Sequence, residues 1–248
     1  MKQGTQAASV YTYDTAGRLQ TLTNPFGETT GWTYDDLHRV QRQTYPTGAY
    51  ADYGYDGRSR LNSLAHKQGA GTVLTSETYF YNAASNLEWK TVDGVTTNYS
   101  YDPADQLLSE TRAGVVRSYT YDGNGNRKTK SAGGVTDMYT YDAGDKLLSA
   151  GAKSFTYDAA GRTKSVSVGS QTTWLDYDYE DRLVRITHPS NAQSNYAYNG
   201  AGARTSKVTS AGTRTFRRDG VGATSPVLAD GTADYTPGIS ERRSGVTK

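Results

Sequence analysis

Tyr11-Thr12-Tyr13-Asp14-Thr15-Ala16-Gly17-Arg18-Leu19 is the stretch whose reading decides the fold of this chain. Side chains at i and i+2 share one face of a strand, so Tyr11 and Tyr13 lie together. Asp14 follows them as a turn opener, because its carboxylate bonds the turn's own backbone. A three-residue hairpin loop needs a left-handed residue three positions later, and Gly17 stands there. Arg18 and Leu19 then begin the return strand, with Asp14 facing Arg18 and Tyr13 facing Leu19.

The same phrase recurs along the chain. A Tyr followed by Asp or Asn stands at Tyr13, Tyr34, Tyr55, Tyr81, Tyr101, Tyr121, Tyr141, Tyr157, Tyr177 and Tyr198, at spacings of 16 to 26 residues. Two residues before these anchors are Tyr11, Trp32, Tyr53, Tyr79, Tyr99, Tyr119, Tyr139, Phe155, Leu175 and Tyr196, nine of the ten aromatic. The left-handed position holds Gly17, Gly125, Gly161 and Gly202, or Asp105, Asp145 and Asp181, or His38, Ser59 and Ser85. The register also pairs Asp35 with Arg39, Asp56 with Arg60, Asp142 with Lys146, Asp158 with Arg162 and Asp178 with Arg182. On the other face it pairs Tyr34 with Val40, Tyr55 with Leu61, Tyr101 with Leu107 and Tyr141 with Leu147. Each cross-strand pair contributes about 0.2–1 kcal/mol.

A second turn, at Ala113-Gly114, Gly133-Gly134 and Gly151, closes each unit of roughly 20 residues. Gly169 lies outside the anchor turn and is expected to tolerate a side chain better than Gly161. The prediction is therefore an all-β chain of tandem antiparallel β-hairpins with no helix longer than two turns. About 20 strands at ~4.8 Å would run ~95 Å. Open sheets beyond about ten strands curl, so a curved, spiralling sheet, a partial shell, is expected. Residues 10–210 hold the ten repeats. Residues 1–9 form a disordered or edge segment, and 211–248 form an end segment that finishes in a loose tail from Ser240. No segment resembles a cap, so an open sheet edge and self-association are expected.

Composition narrows the function. Of 248 residues only 35% are hydrophobic, and 21 residues are Tyr, an amphipathic side chain. A net charge of +2 without a basic run gives no reason to expect nucleic acid as a partner. No apolar stretch approaches the ~18 residues of a membrane span. With no Cys, disulfides and thiolate metal sites are excluded. Met1 to Thr5 lacks the apolar core of a signal peptide, so export is not encoded here.

No catalytic constellation stands out. Of the three His residues, His38 occupies the left-handed turn position, His66 has no ligand-like neighbour, and His188 precedes Pro189 in an irregular insertion read as an exposed loop. Most Asp residues are turn openers, which leaves no pair for glycoside chemistry. Gly123-Asn124-Gly125 and Gly200-Ala201-Gly202 are hairpin turns rather than phosphate loops. No cofactor and no metal are expected. The anchors read as structural: Tyr13, Asp14, Gly17, Tyr34, Tyr55, Tyr101, Tyr121, Gly125, Tyr141, Tyr157, Asp158, Gly161, Tyr177, Tyr198 and Gly202. An alternative gives the Tyr rows to stacking on a cell-surface glycan or wall polymer.

At Tyr11–Leu19, Tyr119–Arg127 and Phe155–Thr163 the chain resembles the YD-repeat family, which includes Rhs proteins, Tc-toxin cocoon subunits and teneurin ectodomains. The resemblance covers about residues 10–205, and Arg218–Gly231 is similar to the Asp-x-x-Gly-x-x sequence that follows the repeats in Rhs cores. It implies a non-enzymatic β-hairpin shell, secreted or at the cell surface, that encloses or displays another polypeptide. The partners it implies are the remainder of a larger shell or the enclosed polypeptide. The paired-Asp autoprotease motif of some relatives has no counterpart here, so self-cleavage and toxicity are not implied.

Overall fold

The structure is a computed structural model, and it describes residues 9–218, 220–224, 227–230, 233–236, 240–243 and 246–247. The expectation for residues 1–8 lies outside the described residues. Every regular element among the described residues is a strand.

The chain forms two compact units. The first comprises Met1–Tyr121 and Lys130–Val135. Its strands are β1 (Val10–Tyr13), β2 (Leu19–Thr23), β3 (Thr29–Tyr34), β4 (Val40–Thr44), β5 (Tyr50–Tyr55) and β6 (Leu61–Gln68). They continue as β7 (Thr72–Tyr81), β8 (Leu87–Val92), β9 (Val95–Tyr101), β10 (Leu107–Arg112) and β11 (Val115–Tyr121). Each pairs antiparallel with the next in sequence. Strand β12 (Arg127–Ala132) has residues in both units.

The second unit comprises Asp122–Thr129 and Thr136–Lys248. Its strands are β13 (Val135–Tyr141, of which Val135 belongs to the first unit), β14 (Leu147–Ala150), β15 (Lys153–Tyr157), β16 (Thr163–Val168) and β17 (Gln171–Tyr177). Then come β18 (Leu183–Thr187), β19 (Gln193–Tyr198), β20 (Arg204–Thr209) and β21 (Gly212–Thr215). Beyond them a second sheet pairs β22 (Arg217–Arg218), β23 (Val227–Ala229), β24 (Ala233–Thr236), β25 (Ser240–Arg243) and β26 (Val246–Thr247) in order. The backbone from Ser240 onward, read from sequence as a loose tail, thus contains two paired strands.

The hairpin register follows from the turn. Tyr13 pairs with Leu19 across a bulge, and the same shift recurs at Tyr34–Val40, Tyr55–Leu61, Tyr81–Leu87 and Tyr157–Thr163. The extra residue lies in the return strand just after the anchor's partner, at Gln20, Gln41, Asn62, Glu88 and Lys164, so this β-bulge is separate from the left-handed turn position. Left-handed φ values at Gly17, Gly125, Gly161 and Gly202, and equally at His38, Ser59, Ser85, Asp105, Asp145 and Asp181, show that the position imposes the conformation whatever residue fills it.

Two expectations need correction at the opposite end of the hairpins. Gly169 also has a left-handed φ of 58°, because it is the first residue of a two-residue loop between β16 and β17. That loop needs positive φ as much as the anchor turn does. His188 is not in an irregular insertion. His188-Pro189-Ser190-Asn191 repeats the bonding of the anchor turn, with Asn191 N–H bonded to His188 C=O and His188 N–H to Ala192 C=O. Asn24-Pro25-Phe26-Gly27 and Tyr45-Pro46-Thr47-Gly48 make the same bonds. Pro presets φ at the second position of a type I turn, and that signal was present in the sequence.

Repeat length is absorbed at this end. The 26-residue spacing from Tyr55 to Tyr81 arises because β6 and β7 extend to 8 and 10 residues. The 16-residue spacing from Tyr141 to Tyr157 arises because β14 and β15 shrink to 4 and 5.

Leu22 is the one large, fully buried side chain among the described residues; Ala51 and Ala203 are the other buried apolar ones. On one sheet face most anchor Tyr rings from Tyr34 onward are half-buried, several of them under guanidinium groups. The opposite face carries hydroxyl pairs bridging neighbouring strands, among them Thr12–Thr21, Thr91–Thr96, Ser100–Ser109, Thr140–Ser149 and Thr156–Ser165.

Candidate functional site: a Tyr–Asp–Arg ladder at the anchor turns

Each anchor carboxylate is held by its own turn. Asp14 Oδ1 accepts the backbone N–H of Ala16 and of Arg18, both at 2.9 Å, while Oδ2 accepts Arg18 Nε at 2.6 Å. Asp35–Arg39, Asp56–Arg60, Asp158–Arg162 and Asp178–Arg182 repeat that ion pair. Where no cation follows, the opener does without it. Asn82 precedes Asn86 by four residues and Asn199 precedes Ala203, and in both the amide oxygen keeps the backbone bond.

These bonds depress the carboxyl pKa values. For Asp14, Asp56 and Asp142 the backbone N–H four residues on is the largest cause. For Asp35 and Asp158 it is the Arg side-chain bond. Bonds to the charged form favour that form.

The anchors also join one repeat to the next, which sequence spacing alone did not reveal. Tyr34 donates its hydroxyl to Leu19 C=O at 2.8 Å, and Arg18 lies over the Tyr34 ring at 4.6 Å from its centroid. Arg18 also reaches forward to Asp35 C=O and His38 Nδ1 in the next turn. In the first unit the hydroxyl bond recurs as Tyr55 to Val40, Tyr81 to Leu61, Tyr101 to Leu87 and Tyr121 to Leu107. In the second it recurs as Tyr141 to Arg127, Tyr157 to Leu147 and Tyr198 to Leu183. Arg39, Arg60, Arg162 and Arg182 cover Tyr55, Tyr81, Tyr177 and Tyr198.

The residue at the left-handed position receives the forward reach. Ser59 and Ser85 accept from Arg39 and Arg60, and Asp181 from Arg162. Asp105 and Asp145 accept instead from Asn86 and Asn126. His38, Ser59, Ser85, Asp105, Asp145 and Asp181 therefore have a side-chain role in addition to their backbone one. A hydroxyl partner for each half-buried Tyr could have been anticipated, since such phenols seldom lack one.

The ladder ends differently on its two sides. Tyr13, whose strand β1 pairs with β2 alone among the described residues, is 60% exposed. After the last anchor turn the end segment substitutes for a further repeat. Asn199 Nδ2 donates to Val221 C=O at 2.8 Å, and Gly202 bridges to Gly222. Arg218 Nε donates at 3.3 Å to Arg204 C=O, the position that a Tyr hydroxyl fills elsewhere. The expectation that nothing caps the repeats is corrected here, because Arg218, Val221 and Gly222 contact the last turn and its return strand.

Near Tyr79 burial, and next the bond it donates to Glu77, push the phenol up to about 12. Among the described residues no group of three or more His, Asp or Glu could hold a metal ion, and no helix is long and apolar enough to cross a membrane.

The geometry agrees with what comparison finds. The teneurin YD-shell family profile matches residues 55–163, and the RHS repeat profile matches 13–50 and 177–215. No curated protein matches the chain. Among solved structures, the Photorhabdus luminescens Tc holotoxin pore with mutated TccC3 aligns over 96% of this chain at 16% identity and a TM-score of 0.51. The TcdB2-TccC3 crystal structure aligns over 96% at 17% identity and a TM-score of 0.52. The chain spans 14% and 15% of the length of those two solved chains. At that identity the likeness establishes the fold. By its repeats, their turn chemistry and the ladder that joins them, the chain is built of repeats of the YD/RHS type, which the two family profiles match over residues 13–50, 55–163 and 177–215.

Proposed function

We propose that this chain is a structural wall module of a YD-repeat shell, curved and non-enzymatic, which encloses or displays another polypeptide outside the cell. The observation that carries the reading is the ladder itself: Tyr34 and Arg18 join adjacent hairpins edge to edge, and the motif is repeated through each unit. Such bonding makes a one-layer sheet whose stability is a sum over neighbours, as in solenoids. A wall uses this construction, since it needs area rather than a thick core. The rings of Tyr34, Tyr55, Tyr81 and Tyr198 serve this joint, with hydroxyls bonded and faces under guanidinium groups, which speaks against those rings as stacking surfaces for a glycan.

Co-expression with the polypeptide encoded beside it, followed by protease digestion, tests the reading. A wall module co-elutes with that polypeptide and slows its digestion. Equal digestion rates with and without the chain, and separate elution, would refute it.

A further inference from the structure

One repeat places a pair of aromatic residues on the hydroxyl face. The residue between the two anchor aromatics and the residue eight after the anchor form a cross-strand pair. That pair is Thr12–Thr21, Ser100–Ser109, Thr140–Ser149 or Thr156–Ser165 in four repeats, each hydroxyl-bonded, and the ion pair Asp176–Arg185 in another. In the repeat anchored at Tyr81 it is Phe80–Trp89, paired across β7 and β8. The rings stack at 5.6 Å between centroids and 9° between planes, and Phe80 is 48% exposed. The fold does not require aromatics at this position, since its other copies are filled by small or charged groups. Trp174 and Val116 are exposed singly on this face, whereas Phe80 and Trp89 together present contiguous apolar surface, which is what marks an interaction site.

The surroundings select the ligand. Trp89 pairs onward with Asn98, and Asn98 with Thr111, so the row Phe80, Trp89, Asn98, Thr111 crosses four strands. Thr91–Thr96 at 2.8 Å and Ser100–Ser109 at 2.7 Å flank it. A bonded hydroxyl pair uses one of its two protons, leaving one donor and several acceptor lone pairs for a ligand. The row and its flanking pairs carry no charged side chain; the charged Asp56, Arg58 and Arg60 lie on the other side of Phe80, at the preceding anchor turn. Aromatic faces beside uncharged hydroxyl and amide groups fit a pyranose whose ring hydrogens make a flat apolar face and whose hydroxyls lie at the rim. We infer that Phe80 and Trp89 form a stacking site for a neutral oligosaccharide, extended along Asn98 and Thr111. The site is on the face opposite the Tyr rows and is independent of the shell reading.

Titration of the full chain with cellohexaose and with chitohexaose, followed by tryptophan fluorescence and calorimetry, tests this. Saturable binding of at least one is expected. Phe80→Thr with Trp89→Ser, which installs the hydroxyl pair of the other repeats, should weaken it at least tenfold while the far-UV spectrum is kept. Tyr179→Ser, at a 90% exposed turn residue, should leave it unchanged. Should the double variant unfold, Phe80→Leu keeps the apolar volume without the ring and is expected to weaken binding at least threefold. Failure of both sugars to saturate, affinity within twofold of wild type in the folded variant, or equal loss in Tyr179→Ser would overturn the proposal.

Discussion

The Tyr34 hydroxyl donates to the carbonyl of Leu19 at 2.8 Å, across fifteen residues of sequence and from one hairpin to the next. Leu19 C=O is thereby satisfied by a side chain, and the Tyr34 ring is fixed where Arg18 can lie over it. This one relationship makes separate hairpins into a continuous array, and several expectations rest on it.

Removing a single hydroxyl should be measurable. Tyr101→Phe leaves Leu87 C=O without its donor at 2.9 Å. A net loss of about 1 kcal/mol is expected, against less than about 0.5 kcal/mol for the exposed Tyr179→Phe. Urea denaturation of the two variants compares them directly.

Glycine substitutions should sort by φ and not by which turn they occupy. Gly161 (φ 81°) and Gly169 (φ 58°) are both left-handed, so valine at either should destabilise by about 1–2 kcal/mol. Valine at Gly161 also meets Lys146 Cε at 3.3 Å from the new Cβ. Ala113, at φ 48°, is the converse case: Ala113→Gly should stabilise by up to about 1 kcal/mol. Melting temperatures of the three variants decide it; a neutral Gly169→Val would contradict the loop assigned there.

Acid should unfold the array through its anchors. The depressed carboxyl pKa values of Asp14, Asp35, Asp56, Asp142 and Asp158 mean that the native state binds fewer protons than the unfolded one. Their contribution is complete above the unfolded value of about 3.9 and is lost as pH falls through the lower folded values. Stability should hold from neutral pH to about 5 and drop below about 4. Replacing Asp35 and Asp158 with Asn should make that drop shallower.

Alkali acts in the opposite sense. Tyr79 ionises at about 12 in the folded chain, chiefly through burial and next through Glu77, against about 10 when unfolded. A raised folded value means that the native state keeps its proton longer, so stability is full below about pH 10 and falls between about 10 and 12. Tyr79→Phe should flatten that fall in pH-dependent denaturation curves. An unchanged slope would show that Glu77 and burial do not act on this group.

The sequence by itself determined the strands of the repeats, the anchor turns and their register. All of these are set within the nine residues from Tyr11 to Leu19, where alternation, the Asp side chain and a left-handed residue act over a few bonds. Even there His38, Ser59 and Ser85 were legible only as turn residues; that Ser59 and Ser85 also receive the guanidinium of the preceding repeat was not. The forward reach of Arg18, the Tyr34 bond to Leu19 and the contacts of Arg218, Val221 and Gly222 with the last turn depend on how neighbouring elements lie side by side. That spacing is fixed by backbone hydrogen bonding between strands, and no local pattern encodes which carbonyl a phenol will meet. The stacked pair on the hydroxyl face shows the same division. Phe80 and Trp89 stand nine residues apart, and only the pairing of β7 with β8 puts their rings against each other.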